Sequence, residues 1–309
     1  MSLISYNKFN PTEHFSANAL EDNERVVSQK ITYPRCKNNL FYLQTPYIKT
    51  DYGGIPSDSS PYHPTVLSKC NSVKIPLEAN PNIDNENKED FEKRKKKVDK
   101  FRIKMQELDA HMISKAMKIK LFGSVSKAGR YEYIPIVKTP IIPEPDSDDD
   151  ETKVDDKVKW RPKYMKSKIP VKWGSEDELQ LEVYGDSSDK NFEKIEVNKL
   201  EDLRKYMCYL RSIRYTLHGC KIWADKQAVN GAKKKKYGIV FKIKKIIYDK
   251  NELMNSKSSD IDDPVIAVDS DEEEEEEVVK NHMGKSDDED SEDESEESYE
   301  DKNIKSKKI

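Results

Sequence analysis

Between Gly238 and Tyr248 the chain alternates: Ile239, Phe241, Ile243 and Ile247 fall on one side of an extended strand, and Lys242 and Lys244 fall on the other beside Val240. Such a strand is not stable alone. It requires a sheet with one apolar side, and it leaves that sheet with a second side that is cationic. Four consecutive lysines, Lys233 to Lys236, stand at its entrance. A face of this kind suits a polyanion; the plainer reading is a half-buried strand whose lysines are simply solvated.

The remaining elements supply partners for that strand. Ile213 to Trp223 reads as the preceding strand, joined to it as a hairpin with a long basic loop. Earlier strands are expected at 39–48, stopped by the Thr45-Pro46 step, and at 72–77, where Pro76 marks an edge. Further strands are expected at 130–137, 164–169 and 178–183. In the second of these Tyr164, Lys166 and Lys168 share one face, and Met165, Ile169, Val171 and Trp173 share the other if the strand continues past Pro170. From Asn87 to Leu121 the period becomes helical, with Val98, Phe101, Met105, Leu108, Met112 and Ala116 on one stripe and Gly123 as the stop. Lys93 to Lys97 make the first part of that helix strongly basic. A shorter amphipathic helix is marked by Leu200, Leu203, Met207 and Leu210.

Charge divides the chain. The 22 acidic residues from Asp260 to Asp301 outnumber Lys280 and Lys285 by 20, and the last eight residues add four lysines. Because the whole 309-residue chain carries -4, residues 1–259 carry +12. A basic body therefore precedes an acidic tail, and 256–309 cannot offset its chain entropy by burial, so it is expected to be disordered. The same holds for the acidic, proline-bearing insertion near 140–156. Residues 1–28 are weakly patterned and read as a flexible arm, leaving 29–255 as the domain.

Four cysteines, at 36, 70, 208 and 220, are too far apart for a zinc site or a disulfide framework and are expected as free thiols. His218 and Cys220 lack further ligands nearby. No cofactor or metal is expected. There is no phosphate-binding loop, zinc-protease or serine-hydrolase motif, and the acidic clusters sit where nothing would fix a geometry, so the chain does not read as an enzyme. It carries no secretory leader and no apolar run long enough for a membrane span, which reads as a soluble intracellular protein with no membrane partner.

Aromatic and cationic side chains interleave on the strands. A base stacks on a ring while its phosphate meets an ammonium or guanidinium group. On that ground Tyr131, Tyr133, Lys163, Tyr164, Lys166, Lys168, Arg211, Arg214, Lys221, Trp223, Lys242 and Lys244 are the candidate nucleic-acid-binding residues. The fold expected is α+β: an OB-fold-like antiparallel β-barrel with helical insertions and a disordered acidic C-terminal tail. Single-stranded DNA or RNA is the expected partner, since duplex readers expose a basic helix that would leave these aromatics without a role. The other reading from the residues is a histone-binding or other basic-protein-binding molecule that uses the acidic tail.

Tyr42-Leu43-Gln44-Thr45-Pro46, Val73-Lys74-Ile75-Pro76-Leu77, a long helix, Tyr131-Glu132-Tyr133-Ile134-Pro135, Lys163-Tyr164-Met165-Lys166-Ser167-Lys168, and Ile213 to Trp223 with Tyr237-Gly238-Ile239-Val240-Phe241-Lys242 follow one another in that order. This succession, over residues 30–250, resembles the single-stranded DNA-binding proteins of nucleocytoplasmic large DNA viruses. The resemblance implies an OB-fold core, coating of single strands in viral DNA replication, recombination and repair, and a location at viral replication sites in host cytoplasm or nucleus. Independently of the resemblance, a tail of net -20 tethered to a body of +12 is expected to compete with DNA for the groove and, once displaced, to meet basic patches on replication proteins.

Overall fold

A computed structural model describes residues 3–50, 55, 72–81, 87–140, 161–175, 178–186, 192–207, 211–229 and 231–249. The acidic insertion, apart from Pro140, and the acidic tail lie outside them. In chain order the elements are β1 (Leu3–Ser5), α1 (Pro11–His14), β2 (Glu21–Asn23), β3 (Val26–Thr32), β4 (Arg35–Cys36), β5 (Asn39–Leu40), β6 (Tyr42–Lys49) and β7 (Ser72–Pro76). Then come α2 (Lys88–Ile113), α3 (Lys115–Phe122), α4 (Val125–Ala128), β8 (Tyr131–Tyr133), β9 (Tyr164–Lys168), β10 (Glu182–Asp186), β11 (Phe192–Ile195), α5 (Leu200–Arg204), β12 (Ser212–Asp225) and β13 (Lys235–Asp249).

The expected hairpin is the spine of the fold. β12 and β13 pair antiparallel along nearly their whole length, and shorter strands line each flank in relay. On the β12 side β6 covers the first half and β3 the second. On the β13 side β8, β9 and β10 follow one another, all parallel to it. β7 extends the sheet from β9, β11 from β10, β2 from β3 and β1 from β6, making eleven strands; β4 and β5 form a separate pair. As expected, Pro76 sits on an edge strand, because β7 pairs with β9 alone.

The class is α+β, with one large mixed sheet and few helices. A closed antiparallel barrel is not what forms. β1 runs parallel to β6, three strands run parallel to β13, and no pairing joins β1 to β11 among the described residues. Two-residue periodicity reports which face a side chain takes but carries no information on strand direction, so the long connections that bring β8, β9 and β10 alongside β13 were invisible to it.

Two irregularities decide which side chains face the core. Along β13, Tyr237, Phe241 and Ile243 are buried as the alternation demands, but the core then takes Ile246 and Tyr248. The register slips between Thr216 and Leu217 opposite Lys244, which inserts one residue and flips the phase. Ile247, expected in the core, is buried on the opposite side of the strand and outside the core cluster. A second slip at Cys220 moves β12 from Ile213, Tyr215 and Leu217 to Ile222 and Ala224. The step at Thr45-Pro46 does not stop β6, which runs to Lys49. Instead the Tyr215 N–H donates to the Thr45 hydroxyl oxygen (2.9 Å), so a side chain supplies the acceptor where the β6–β12 register shifts.

Helices α2 and α3 cover one end of the inner face. The stripe Val98, Phe101, Met105, Leu108 and Met112 is buried as its spacing predicts, but the helix is broken. Ser114 leaves helical conformation (ψ 145°), and its hydroxyl caps α3 at the Met117 N–H (3.3 Å). The reset phase buries Met117 in place of Ala116, and α3 ends at Gly123 in the left-handed region (φ 81°). Residues 3–28 are not a free arm: Phe9, Phe15, Ala17 and Leu20 enter the core, and β1 and β3 join the sheet. Their apolar residues are spaced too irregularly to show a period. Leu200, Leu203 and Met207 close the inner face at the other end; Leu210 lies outside the described residues.

Candidate nucleic-acid interface

Because the inner face of the spine is buried, the opposite face is what the strands present outward, and register places its residues in rows. One row crosses five strands: Tyr42 on β6, His218 on β12, Lys242 on β13, Lys168 on β9 and Ser72 on β7. Tyr42 and His218 stack, with centroids 4.7 Å apart and planes at 22°. One step along β9, Lys166 lies directly opposite Lys74 on β7. Two pairs of lysines thus sit side by side, and between Lys242 and Lys168 the opposed like charges repel.

Lys221 joins this group from β12. Burial lowers its pKa, and Lys168 and Lys242 lower it further. Burial likewise lowers the pKa of His218, with Lys242 and Lys244 adding to the effect, which favours the neutral imidazole. Cys220, a free thiol, has its pKa raised by burial against the opposing influence of Lys242, Lys221 and Lys168. Three separate groups therefore report one concentrated positive field on this face.

Cations also lie over rings around the row. The Arg214 guanidinium sits 4.1 Å from the Tyr47 ring centroid, Lys245 sits 4.1 Å from Tyr184, and Lys74 sits 5.2 Å from Tyr164. The Tyr47 hydroxyl donates to Asp186, although β12 and β13 intervene between β6 and β10. Three strand spacings of about 4.8 Å exceed the reach of the two side chains, so the sheet curls toward its outer face there. The result is a concave, aromatic-bearing surface of mixed charge at that end, where Arg214 and Lys245 stand with Asp186, Glu182 and Asp249.

Of the candidate residues, the structure brings Lys166, Lys168, Lys221, Lys242 and Lys244 together, with Arg214 further along the same face. Tyr164 is on this face but buried beneath Lys74. Trp223 is also on it, half-buried and lying across Gly238, where a Cβ would stand 3.5 Å from the indole. Arg211 precedes β12 and is tied by backbone hydrogen bonds to Thr50. Lys163 is turned to Glu78 (3.8 Å) and lies before β9.

Tyr131 and Tyr133 are not on this face. Tyr131 stacks on Phe122 (4.0 Å) in the core, and the Tyr133 hydroxyl donates to the buried Asp109 carboxylate (2.8 Å), which also accepts the N–H groups of Ile136 and Val137. In a three-residue strand the alternation does not say which face is the core. The sequence reading missed Tyr42, Tyr47, Lys74, Tyr184, His218 and Lys245. Tyr42 and Tyr47 fall on one face only because the slip at Thr45-Pro46 changes the phase between them.

Among the described residues no group of three or more His, Cys, Asp or Glu side chains could hold a metal ion, and no helix is long and apolar enough to cross a membrane. Neither a protein-family model nor any curated protein matches the chain.

Proposed function

We propose that this chain is a sequence-independent single-stranded DNA-binding protein whose binding surface is the outer face of the β12–β13 sheet. The observation that carries this reading is the adjacency of Lys242 to Lys168, with Lys221 beside them. Their mutual repulsion is relieved when a phosphate backbone lies along the row. The half-buried Trp223, and His218 backed by the buried Tyr42 at the end of that row, offer rings to bases. We read the curled sheet as an open relative of the OB-type barrel implied by the viral family resemblance. On that resemblance rests the wider role, coating strands in viral DNA replication, recombination and repair.

The tail has a part in this mechanism. A segment of net -20 tethered to a body of +12 competes with DNA for the cationic face at high effective concentration and, once displaced, is free to engage basic patches on replication proteins. Fluorescence anisotropy of labelled oligo-dT with the full chain and with residues 1–259 tests both parts. Salt-sensitive binding that tightens on truncation is expected. Absence of binding by either form would reject the reading and favour a basic-protein partner for the tail.

A further inference from the structure

Helix α2 carries a second cationic surface that the sheet face does not explain. At 100° per residue, Lys93, Lys96, Lys97, Lys100 and Lys104 fall within one arc of about 100°, an i, i+3, i+4, i+7, i+11 stripe. It lies about 110° round the helix from the buried stripe of Val98, Phe101, Met105, Leu108 and Met112, which packs into the core beneath the inner face of the sheet. The lysine stripe therefore flanks the packed face of a helix that covers the inner side of the sheet, whereas the outer-face row lies on the sheet's other side.

Its ends are neutralised within the helix: Lys93 pairs with Glu89 (2.6 Å) and Lys104 with Glu107 (2.7 Å). Lys96, Lys97 and Lys100 between them are exposed and have no carboxylate partner among the described residues. No residue of α2 before Val98 is fully buried, although Phe91, Glu92 and Arg94 are half-buried and Arg94 donates to the Asn80 carbonyl (3.3 Å). The stripe also lacks aromatics. Phe91 lies on the other side of the helix, with Arg94 and Lys95 5.5 Å and 5.8 Å from its ring.

The two cationic surfaces therefore differ in kind. The sheet face mixes lysines with rings, as unstacked bases require. The helix offers a short row of three ammonium groups, rooted along about 6 Å of its axis, and nothing for a base to stack on. That suits a polymer whose bases are hidden and whose phosphates are held in a fixed row. We propose that the Lys96, Lys97 and Lys100 stripe of α2 is a separate site for the phosphate backbone of duplex nucleic acid, bound without sequence preference. With the sheet face holding a single strand, the protein would then engage a junction between single- and double-stranded DNA.

The test uses the full chain carrying K96E/K97E/K100E, with K96Q/K97Q/K100Q as a milder companion. All three positions are exposed, and unchanged circular dichroism verifies the fold. Affinity for a blunt 20-base-pair duplex should fall about tenfold or more in the Glu variant and less in the Gln variant. The slope of log affinity against log salt should shrink by about 2.7 for three lost phosphate contacts. Oligo-dT affinity should stay within about twofold of the unsubstituted protein. Unchanged duplex binding overturns the proposal. Unchanged duplex binding with altered oligo-dT binding does so too, and assigns the stripe to the acidic tail. Equal losses for duplex and oligo-dT also overturn it, because they mean one shared surface. If the unsubstituted protein binds duplex but no oligo-dT, the single-strand reading fails while this one stands.

Discussion

The two faces of the β12–β13 spine are made by alternate residues of the same strands, and they obey different rules. Inward, Leu217, Ile222, Tyr237, Phe241 and Ile243 are fully or almost fully buried and pack against the helices and the N-terminal segment. Outward, at equivalent positions, His218, Lys221, Lys242 and Lys245 are half-buried or exposed, and like charges stand beside one another. The inner face is built for stability. The outer face gives some of that stability up, and this concession is the physical ground for assigning it a ligand. Substitutions on the inner face should change folding free energy first; those on the outer face should change polyanion affinity first.

The largest separation should come from Phe241→Ala. Phe241 is 2% exposed and lies edge-on to Phe41 at 6.4 Å, so truncation leaves a cavity and should cost about 3 to 5 kcal/mol in urea denaturation. The salt slope of any remaining folded protein should be unaltered. A loss under 1 kcal/mol would mean that the inner face is looser than its burial implies.

A smaller effect is expected at Gly219, where a Cβ would stand 2.7 Å from the Phe41 ring. Gly219→Ala must displace that ring within a filled core and should cost about 1 to 3 kcal/mol. Pairing it with Phe41→Leu should recover part of the loss in a double-mutant cycle.

The smallest effect crosses between the faces. His218 has its pKa held below the ordinary value by burial and by Lys242 and Lys244, so the unfolded chain takes up its proton first as pH falls. Stability should therefore decline as pH drops below about 6.5, and the loss should be complete below the lowered folded value. His111, buried near Lys120, shifts in the same sense. His218→Gln should reduce the difference in urea midpoint between pH 7.5 and 5.5. Bound polyanion offsets the lysine field at His218, so it should reduce that difference as well.

Much of the inner face was legible in the sequence because burial imposes periodicity. The β13 alternation, the α2 stripe, the helix stop at Gly123 and the hairpin all follow from spacing. What spacing missed are the places where one residue resets the phase: Lys244, Cys220, Thr45-Pro46 and Ser114. Trp173 fails for a related reason. It was expected in the core, but Pro170 ends β9, and Gly174 (φ 83°) turns the chain so that Val171 bridges to Leu179. The indole is left 98% exposed. The outer face was legible only in its lysines. Its rings come from Tyr42, Tyr47 and Tyr184, on strands whose order in the sheet no local pattern reveals. The N-terminal residues escaped because Phe9 and Phe15 reach the core from a turn and a one-turn helix, which have no period to read.

The central claim is that the outer lysine row, and not the inner architecture or the tail, holds the strand. The most direct test is a salt series of oligo-dT anisotropy titrations on the full chain and on a K168E/K242E variant, with urea stability measured in parallel. The account predicts a loss of affinity of about tenfold or more and a salt slope smaller by about 1.4 for two lost contacts. Folding stability should stay within about 0.5 kcal/mol of the unsubstituted protein. Equal affinity and equal slope in the two proteins would contradict it.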